Sequence, residues 1–277
     1  MKIAVTGGSG ELGSNLIPYL LHQGHSVVNI DIVGDSSANK QSTLEHRTAD
    51  VRDYDQFLNS LRGCDALIHL AAHRSPHFHP AHVVYNDNTT SSYNALRAAA
   101  TLGIRRVCLA SSVNAIGGPY SQRPHYDYFP LDEQHPCYAE DPYSLSKWVL
   151  EQQGAAFARL YTDMSIASLR FHLLIENYAR AVEWTAAAEN RDESIRHLWA
   201  YTSYLDACRA CLLALTVDFV GHEALFIVAP RTAVFESSRA LAQKYYPDTE
   251  LRSELPDQAS FYDCRRAEQV LGWRHEG

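Results

Sequence analysis

Met1-Lys2-Ile3-Ala4-Val5-Thr6-Gly7-Gly8-Ser9-Gly10-Glu11-Leu12-Gly13 opens the chain and decides its fold. An apolar run at 3–5 ends in a glycine-rich turn, which leads straight into an amphipathic stretch at 12–21. That order reads strand, phosphate loop, helix. Gly7, Gly10 and Gly13 follow G-x-x-G-x-x-G spacing, a variant of the dinucleotide fingerprint. Gly7 allows the tight turn, Gly10 lets the main chain approach a pyrophosphate, and Gly13 lets the helix pack close to the strand. The free N–H groups of the helix N-terminus then face the phosphates. A second strand-like run at 26–30 ends at Asp31, where a carboxylate can accept hydrogen bonds from adenosine ribose hydroxyls. The same carboxylate repels a 2′-phosphate, so the expected cofactor is NAD rather than NADP.

Composition narrows the function classes. A chain of 277 residues can bury a full core, and one compact unit with a smaller appended lobe is expected. A net charge of −8, with no basic stripe, argues against nucleic-acid binding. No apolar run approaches the length of a membrane span. The N-terminus already reads as a core strand, which leaves no room for a signal peptide. Six cysteines, at 64, 108, 137, 208, 211 and 264, lack framework spacing and fit a reducing compartment, so the expected location is cytoplasmic. Cys208-Arg209-Ala210-Cys211 has C-x-x-C spacing but lies in an alanine- and leucine-rich helical stretch, and both cysteines read as small packing residues.

Strand-like runs at 3–5, 26–30, 66–70, 106–109 and 165–169 alternate with helical patterns such as 91–102 and 143–161. Such alternation predicts an α/β fold, a doubly wound parallel sheet of the Rossmann type covered by helices on both faces. Residues 1–170 are expected to form the NAD-binding domain. Past Arg170 come a polar stretch at 176–196, a helix near 204–215, a strand at 224–228, a helix near 236–245 and a polar tail. Residues 171–277 are therefore the expected small C-terminal substrate lobe, interleaved with the first domain in one compact unit.

Asp141-Pro142-Tyr143-Ser144-Leu145-Ser146-Lys147 opens a helical stretch. Tyr143 and Lys147 stand at i and i+4 and project from one helical face. An ammonium near a phenol favours the phenolate and lowers its pKa, so Tyr143 can serve as base towards an alcohol or acid towards a carbonyl. The strand at 106–109 runs into Ser111 and Ser112, just where open α/β sheets bind ligands, and a hydroxyl there can hold the reacting oxygen.

In these motifs the chain resembles the extended short-chain dehydrogenases/reductases of the NAD-dependent epimerase/dehydratase family. The resemblance rests on Thr6 through Gly13, Asp50-Val51-Arg52-Asp53, His69-Leu70-Ala71-Ala72, Asn88, Ser111-Ser112, Tyr143 with Lys147, and Arg170. It covers residues 1–170 strongly and the rest loosely. It implies that Gly7, Gly10, Glu11, Leu12 and Gly13 cradle the cofactor, that Asp31 binds the adenosine ribose, and that Asp50 with Val51 binds adenine. Leu70, Ala71, Ala72 and Asn88 would line the cofactor, and Lys147 beside Tyr143 would hold the nicotinamide ribose. Counting back from Gly117 puts Ser112, rather than Ser111, at the family's catalytic position. A homodimer through the helices near 88–102 and 143–161 is also implied, although the alanines at 95, 98, 99, 155, 156 and 158 suit a buried core helix equally well.

Departures from the family pattern narrow the substrate. Relatives acting on sugar nucleotides follow the sixth strand with Asn and then Gly-Pro, where this chain has Leu173 and Glu176-Asn177. The segment that normally wraps the nucleotide is short, and Ile116 replaces a common tyrosine. Glu193-Ser194-Ile195-Arg196-His197-Leu198-Trp199 is similar to a stretch of the compact uronate dehydrogenases in which the arginine binds a carboxylate. Arg196 would do likewise with a bidentate fork, or else pair with Glu193 or a helix end. Ser112, Asn114, Arg196, His73 and Arg74 are the expected substrate contacts. His73, His77, His79 and His82 form a cluster read as a loop flanking the site rather than a metal centre, so no metal is expected. The aromatic stretch 119–136 would shape an apolar pocket or pack beneath Asp132 and Glu133. Asn88 would relay protons through water, or cap and pack a helix.

The expected activity is NAD-dependent oxidoreduction of a secondary alcohol or its ketone, on a small polar or biosynthetic substrate, through Ser112, Tyr143 and Lys147. The rival readings are a redox-neutral epimerase or isomerase that retains NAD, and a non-catalytic dinucleotide sensor. Dehydration is disfavoured, because Val113-Asn114 stands where a dehydratase carries Asp-Glu.

Overall fold

The computed structural model describes residues 1–34 and 43–276. In chain order the strands are β1 (Lys2–Thr6), β2 (Ser26–Asp31), β3 (Leu44–Thr48), β4 (Ala66–His69), β5 (Arg106–Ser112), β6 (Tyr128–Phe129), β7 (Ser165–Phe171), β8 (Leu174–Ile175), β9 (Thr202–Ser203), β10 (Gly221–Ile227) and β11 (Glu250–Leu251). The helices are α1 (Glu11–His22), α2 (Tyr54–Ser60), α3 (Ala81–Leu102), α4 (Pro142–Leu160), α5 (Tyr178–Ala186), α6 (Arg191–Arg196), α7 (Tyr204–Thr216), α8 (Ser238–Tyr245) and α9 (Arg265–Leu271). Seven of these strands form one sheet in the order β10-β7-β5-β4-β1-β2-β3, every neighbouring pair parallel. From β1 the chain builds outward through β2 and β3, then crosses back to build β4, β5, β7 and β10 on the other side. This is the doubly wound arrangement expected from the alternation, and its switch point lies between β1 and β4.

The central strands are buried on both faces and therefore read as short continuous apolar runs. One face of the sheet packs against α1 and α7 around Leu16, Leu20, Ala207 and Cys211. The other packs against α2, α3 and α4 around Phe57, Leu96, Ala99 and Leu150. A third apolar cluster ties 113–131 to residues near 195–200, 226–228 and 241–262. Cys208 and Cys211 are buried on α7, and all six cysteines are free.

Several boundaries differ from the sequence expectations. The helix expected at 91–102 begins at Ala81, since its first turns carry few apolar residues to betray a period. β3, a polar and largely exposed edge strand, has no alternation to read. The expected polar tail is partly core: α9 packs by β10, and buried Trp273 donates its indole N–H to Asp206 O at 3.1 Å. No helix among the described residues is long and apolar enough to cross a membrane.

Candidate active site

The C-terminal ends of β1, β2, β4, β5 and β7 open into one cleft of about 900 Å³. Its floor is the glycine loop. Gly7 sits at φ +67°, and a Cβ there would lie 2.9 Å from the main chain of Ala71. A Cβ on Gly13 would lie 2.4 Å from Gly8 Cα. The loop thus lies flush against both β4's exit and α1's first turn. No side chain caps α1, and its N-terminal residues Gly10, Glu11, Leu12 and Gly13 line the cleft.

Thr6 joins the ends of β1 and β4. Its Oγ1 lies 2.8 Å from His69 Nδ1 and accepts from the N–H groups of Leu70 and Ala71, each at 3.2 Å. Burial pulls the His69 imidazole down to about 3, so the ring is neutral. Asp31 at the end of β2 accepts from Ser9 N–H at 3.0 Å and Val33 N–H at 3.2 Å. Asp50 accepts from Arg52, whose guanidinium holds the carboxyl below its usual range and also donates to Asp87 at 2.8 Å. Val51, Leu70, Ala71 and Ala72 complete this half of the cleft.

At the far end, Ser111 and Ser112 close β5 and face different partners. Ser111 Oγ donates to buried Glu151 at 2.6 Å, and Glu151 in turn forms a fork with buried Arg170. Ser112 Oγ accepts from Asn114 N–H at 3.2 Å and from Asn114 Nδ2 at 3.1 Å. With its acceptor sites engaged, the Ser112 hydroxyl proton points elsewhere. Asp141 caps α4 by accepting from the N–H groups of Tyr143 and Ser144 at 2.9 Å, and Pro142 starts the helix. This cap presents Tyr143 to the cleft one turn before Lys147.

Tyr143 and Lys147 are both buried. Lys147 Nζ donates to Ala110 O at 2.6 Å and stands 5.7 Å from the centre of the Tyr143 ring. Burial pushes the Tyr143 phenol above its ordinary range, and a hydrogen bond with Ser112 pulls it back in part. The lowering expected from Lys147 is not met: the ammonium is turned towards Ala110 O and adds no resolved effect on the phenol. Burial in turn pulls Lys147 down to about 8.

The remaining expected site residues divide. Asn88 accepts from His73 N–H at 2.8 Å and donates to His73 O and Ser146 Oγ, each at 3.0 Å, so it moors the chain after β4 to α4. His73 Nε2 lies 2.9 Å from Asp87. Arg74 pairs with Glu11, which also accepts from the Tyr204 hydroxyl, so the three bridge the edge of the glycine loop. Arg196 is turned out of the cleft and donates to Ser121 O at 2.6 Å, a partner that neither expectation for it named. His77 packs edge-on against Tyr120. Among the described residues no group of three or more His, Cys, Asp or Glu side chains is arranged to hold a metal ion. In the aromatic stretch, Tyr120 faces the cleft while Tyr126 and Phe129 are packed in the third apolar cluster.

His172 beyond β7, and Glu193 and His197 around α6, line the cleft although no signal in the sequence placed them there. Leu198 and Trp199 hold the turn after His197 with φ of 51° and 50°, a conformation that bulky residues seldom take and that no local signal announces.

The model of the NAD dependent epimerase/dehydratase family matches residues 3–223. Over 177 residues the chain is 27% identical to the dTDP-6-deoxy-L-talose 4-dehydrogenase (NAD(+)) of Aggregatibacter actinomycetemcomitans, covering 63% of this chain and 62% of that one. The chain spans 45–62% of the length of the curated relatives it matches. A solved structure of a mutated uronate dehydrogenase superposes with a TM-score of 0.72 at 20% identity, over all of this chain and 82% of that one. MoeE5 in complex with UDP-glucuronic acid and NAD superposes with a TM-score of 0.73 at 22% identity, over all of this chain and 94% of that one. At such identities the solved structures bear on the fold alone.

Proposed function

The chain belongs to the NAD dependent epimerase/dehydratase family, and from that premise we propose an NAD-dependent oxidoreductase acting on a secondary alcohol or its ketone. The observation that carries this reading is one cleft with a glycine loop at one end and Ser112, Tyr143 and Lys147 at the other. The cradle at the loop fits a dinucleotide. Gly7 has no room for a Cβ against Ala71 and keeps the loop tight, α1 offers an uncapped N-terminus, and Asp31 offers a ribose-binding carboxylate. Leu12, Asp50, Val51, Leu70, Ala71 and Ala72 would line it, and Lys147 would hold the second ribose.

Bound NAD supplies the hydride acceptor or donor. Ser112, hydrogen-bonded to Tyr143, would turn its hydroxyl proton to the substrate oxygen and fix that oxygen beside the phenol. In alcohol oxidation the ionised Tyr143 takes the hydroxyl proton as the C–H bond breaks and the carbonyl forms; in reduction the neutral phenol returns that proton. Burial favours the neutral phenol. Residues 1–170 serve the cofactor, and 171–277 supply the outer substrate wall with His172, Glu193 and His197.

Tyr143→Phe tests the assignment. Turnover is expected to fall by about 10²–10⁴, the usual contribution of a positioned acid-base group, while NAD affinity stays near that of the wild type by tryptophan fluorescence. Retained turnover would refute the role given to Tyr143.

A further inference from the structure

Lys147 is an ammonium with no acid of its own. It is 4% exposed, its Nζ donates to Ala110 O at 2.6 Å, and no carboxylate among the described residues forms an ion pair with it. A buried ammonium in that position has lost its hydration and tends to shed its proton. The charge that opposes the loss stands one turn further along α4. Glu151 is four residues on and shares the helical face of Lys147. It is 3% exposed, and it is the carboxylate whose charge is felt at the amine. Burial pulls the amine down, the Glu151 charge pulls it back in part, and the balance leaves it at about 8.

Everything Glu151 accepts comes from the sheet. Ser111 Oγ at the end of β5 donates to Oε1 at 2.6 Å, and Arg170 Nε on β7 donates to the same oxygen at 2.9 Å. Arg170 Nη2 donates to Oε2 at 2.8 Å. Ser111 and Arg170 are partners in the β5–β7 register, so two neighbouring strands grip one carboxylate. Lys147 is docked on Ala110, the residue before Ser111. Successive residues of β5 therefore hold successive turns of α4: Ala110 takes the amine and Ser111 the acid. A helix pinned at both points is fixed against rotation and sliding, so the place of the amine depends on the carboxylate one turn away.

The other titratable groups nearby supply no substitute. His69 at the end of β4 faces Lys147 as a neutral ring, and Tyr143 stands on the same face of α4. Cys137 and His222 face Glu151 and Arg170, and Glu133 faces Arg170. Burial raises the Cys137 thiol and the Glu133 carboxyl and lowers the His222 imidazole, which favours the uncharged form of each.

We propose that Glu151 is a positioning residue for Lys147: gripped by Ser111 and Arg170, it fixes where the ammonium lies in the cleft and keeps it charged there. This rests on the cofactor role given to Lys147 in the oxidoreductase reading and adds the residue that sustains it.

The chain has four lysines, so their Cε–Hε signals can be followed singly by NMR of protein labelled with carbon-13 lysine, with Lys147 identified by its absence in Lys147→Met. The wild-type signal is expected to titrate at about 8. Glu151→Gln keeps the shape and removes the charge, and should lower that midpoint by about one pH unit or more. Glu151→Asp, which keeps the charge, should recover most of the fall. If Glu151→Gln does not fold, the double variant Glu151→Gln, Arg170→Met removes the buried pair together and carries the same expected fall. A brace without an electrostatic part would instead loosen α4, let water reach the amine and raise the midpoint towards 10.5. A midpoint that holds or rises in the Gln variants, or falls equally in Glu151→Asp, would overturn the proposal. NAD affinity, followed by tryptophan fluorescence, should drop about tenfold in Lys147→Met, in line with one lost hydrogen bond. Wild-type affinity in that variant would overturn the cofactor role of Lys147, while a fall of the midpoint in Glu151→Gln would still uphold the link between the two residues.

Discussion

Ser111 and Ser112 are adjacent hydroxyls with separate tasks, and the difference is set by what lies behind each. Ser111 donates to Glu151 at the heart of a buried ion pair with Arg170, whereas Ser112 accepts twice from Asn114 and turns its proton to Tyr143. Ser112→Ala should therefore lower kcat by about 10²-fold or more with little change in stability. Ser111→Ala should leave kcat near that of the wild type but cost about 1 kcal/mol in urea unfolding, since a buried carboxylate oxygen loses one of its two donors and keeps Arg170 Nε. Equal effects on kcat would remove the distinction. Lys147 offers a second test. Its amine titrates at about 8 in the folded chain against an ordinary 10.5. Between those values the unfolded chain binds the extra proton, so this group makes stability rise with pH from about 8 to 10.5 and leaves it flat outside that window. Lys147→Met should accordingly be more stable than the wild type at pH 7, by about 3 kcal/mol at most, with the gap closing towards pH 10.5. A gap that does not change with pH would show that the amine is not held low. The short-range motifs were legible in the sequence because chain spacing alone brings Tyr143 to Lys147 and Gly7 to Gly10. The direction in which Lys147 points was not, because Ala110 O reaches it from another element.

At the scale of elements the glycine loop is a packing problem as much as a binding motif. Gly13 stands where α1's first turn meets Gly8, and a methyl group there would fall 2.4 Å from main-chain carbon. Gly13→Ala should push the first turn of α1 away from β1, lower stability by about 1–3 kcal/mol and weaken NAD binding in a fluorescence titration. Unchanged affinity in a folded Gly13→Ala protein would show that the loop does not set the cofactor's seat. The same elements show what patterning can reveal. β1, β4 and β7 were readable because strands buried on both faces become apolar runs. β3, Leu-Glu-His-Arg-Thr on the sheet edge, carries no such run, and its pairing with β2 comes from main-chain hydrogen bonds that any residue can make. The outer wall of the cleft was hidden for a different reason. Asn114 and Tyr120, His172, and Glu193 with His197 come from three separate stretches of the chain, the last just before the turn at Leu198 and Trp199.

For the whole molecule, the two faces of the sheet divide the labour. α1 and α7 cover the face that carries the glycine loop's helix, while α3 and α4 lie together on the other face. Gln153 joins those two helices by accepting from Ser92 Oγ at 2.7 Å and donating to Thr89 O at 3.1 Å. The outer surface of this pair still exposes Tyr93 at 50%, Leu145 at 37% and Trp148 at 36%. Large apolar side chains on one helix pair favour a protein partner over solvent, and we propose a homodimer in which α3 and α4 meet their own copies about a two-fold axis. Light scattering coupled to size exclusion should then give twice the chain mass for the wild type and the single mass for a Tyr93→Glu, Trp148→Glu double variant, whose charges would be buried without partners in the dimer. The double variant should keep its NAD affinity, because the loop and α1 lie across the sheet from the altered surface. It should lose part of its activity, because α4 carries Tyr143 and Lys147 and its outer side would no longer be braced. A wild-type chain that runs as a monomer would dismiss the dimer outright, and a monomeric variant of full activity would show that each copy of α4 is rigid enough alone.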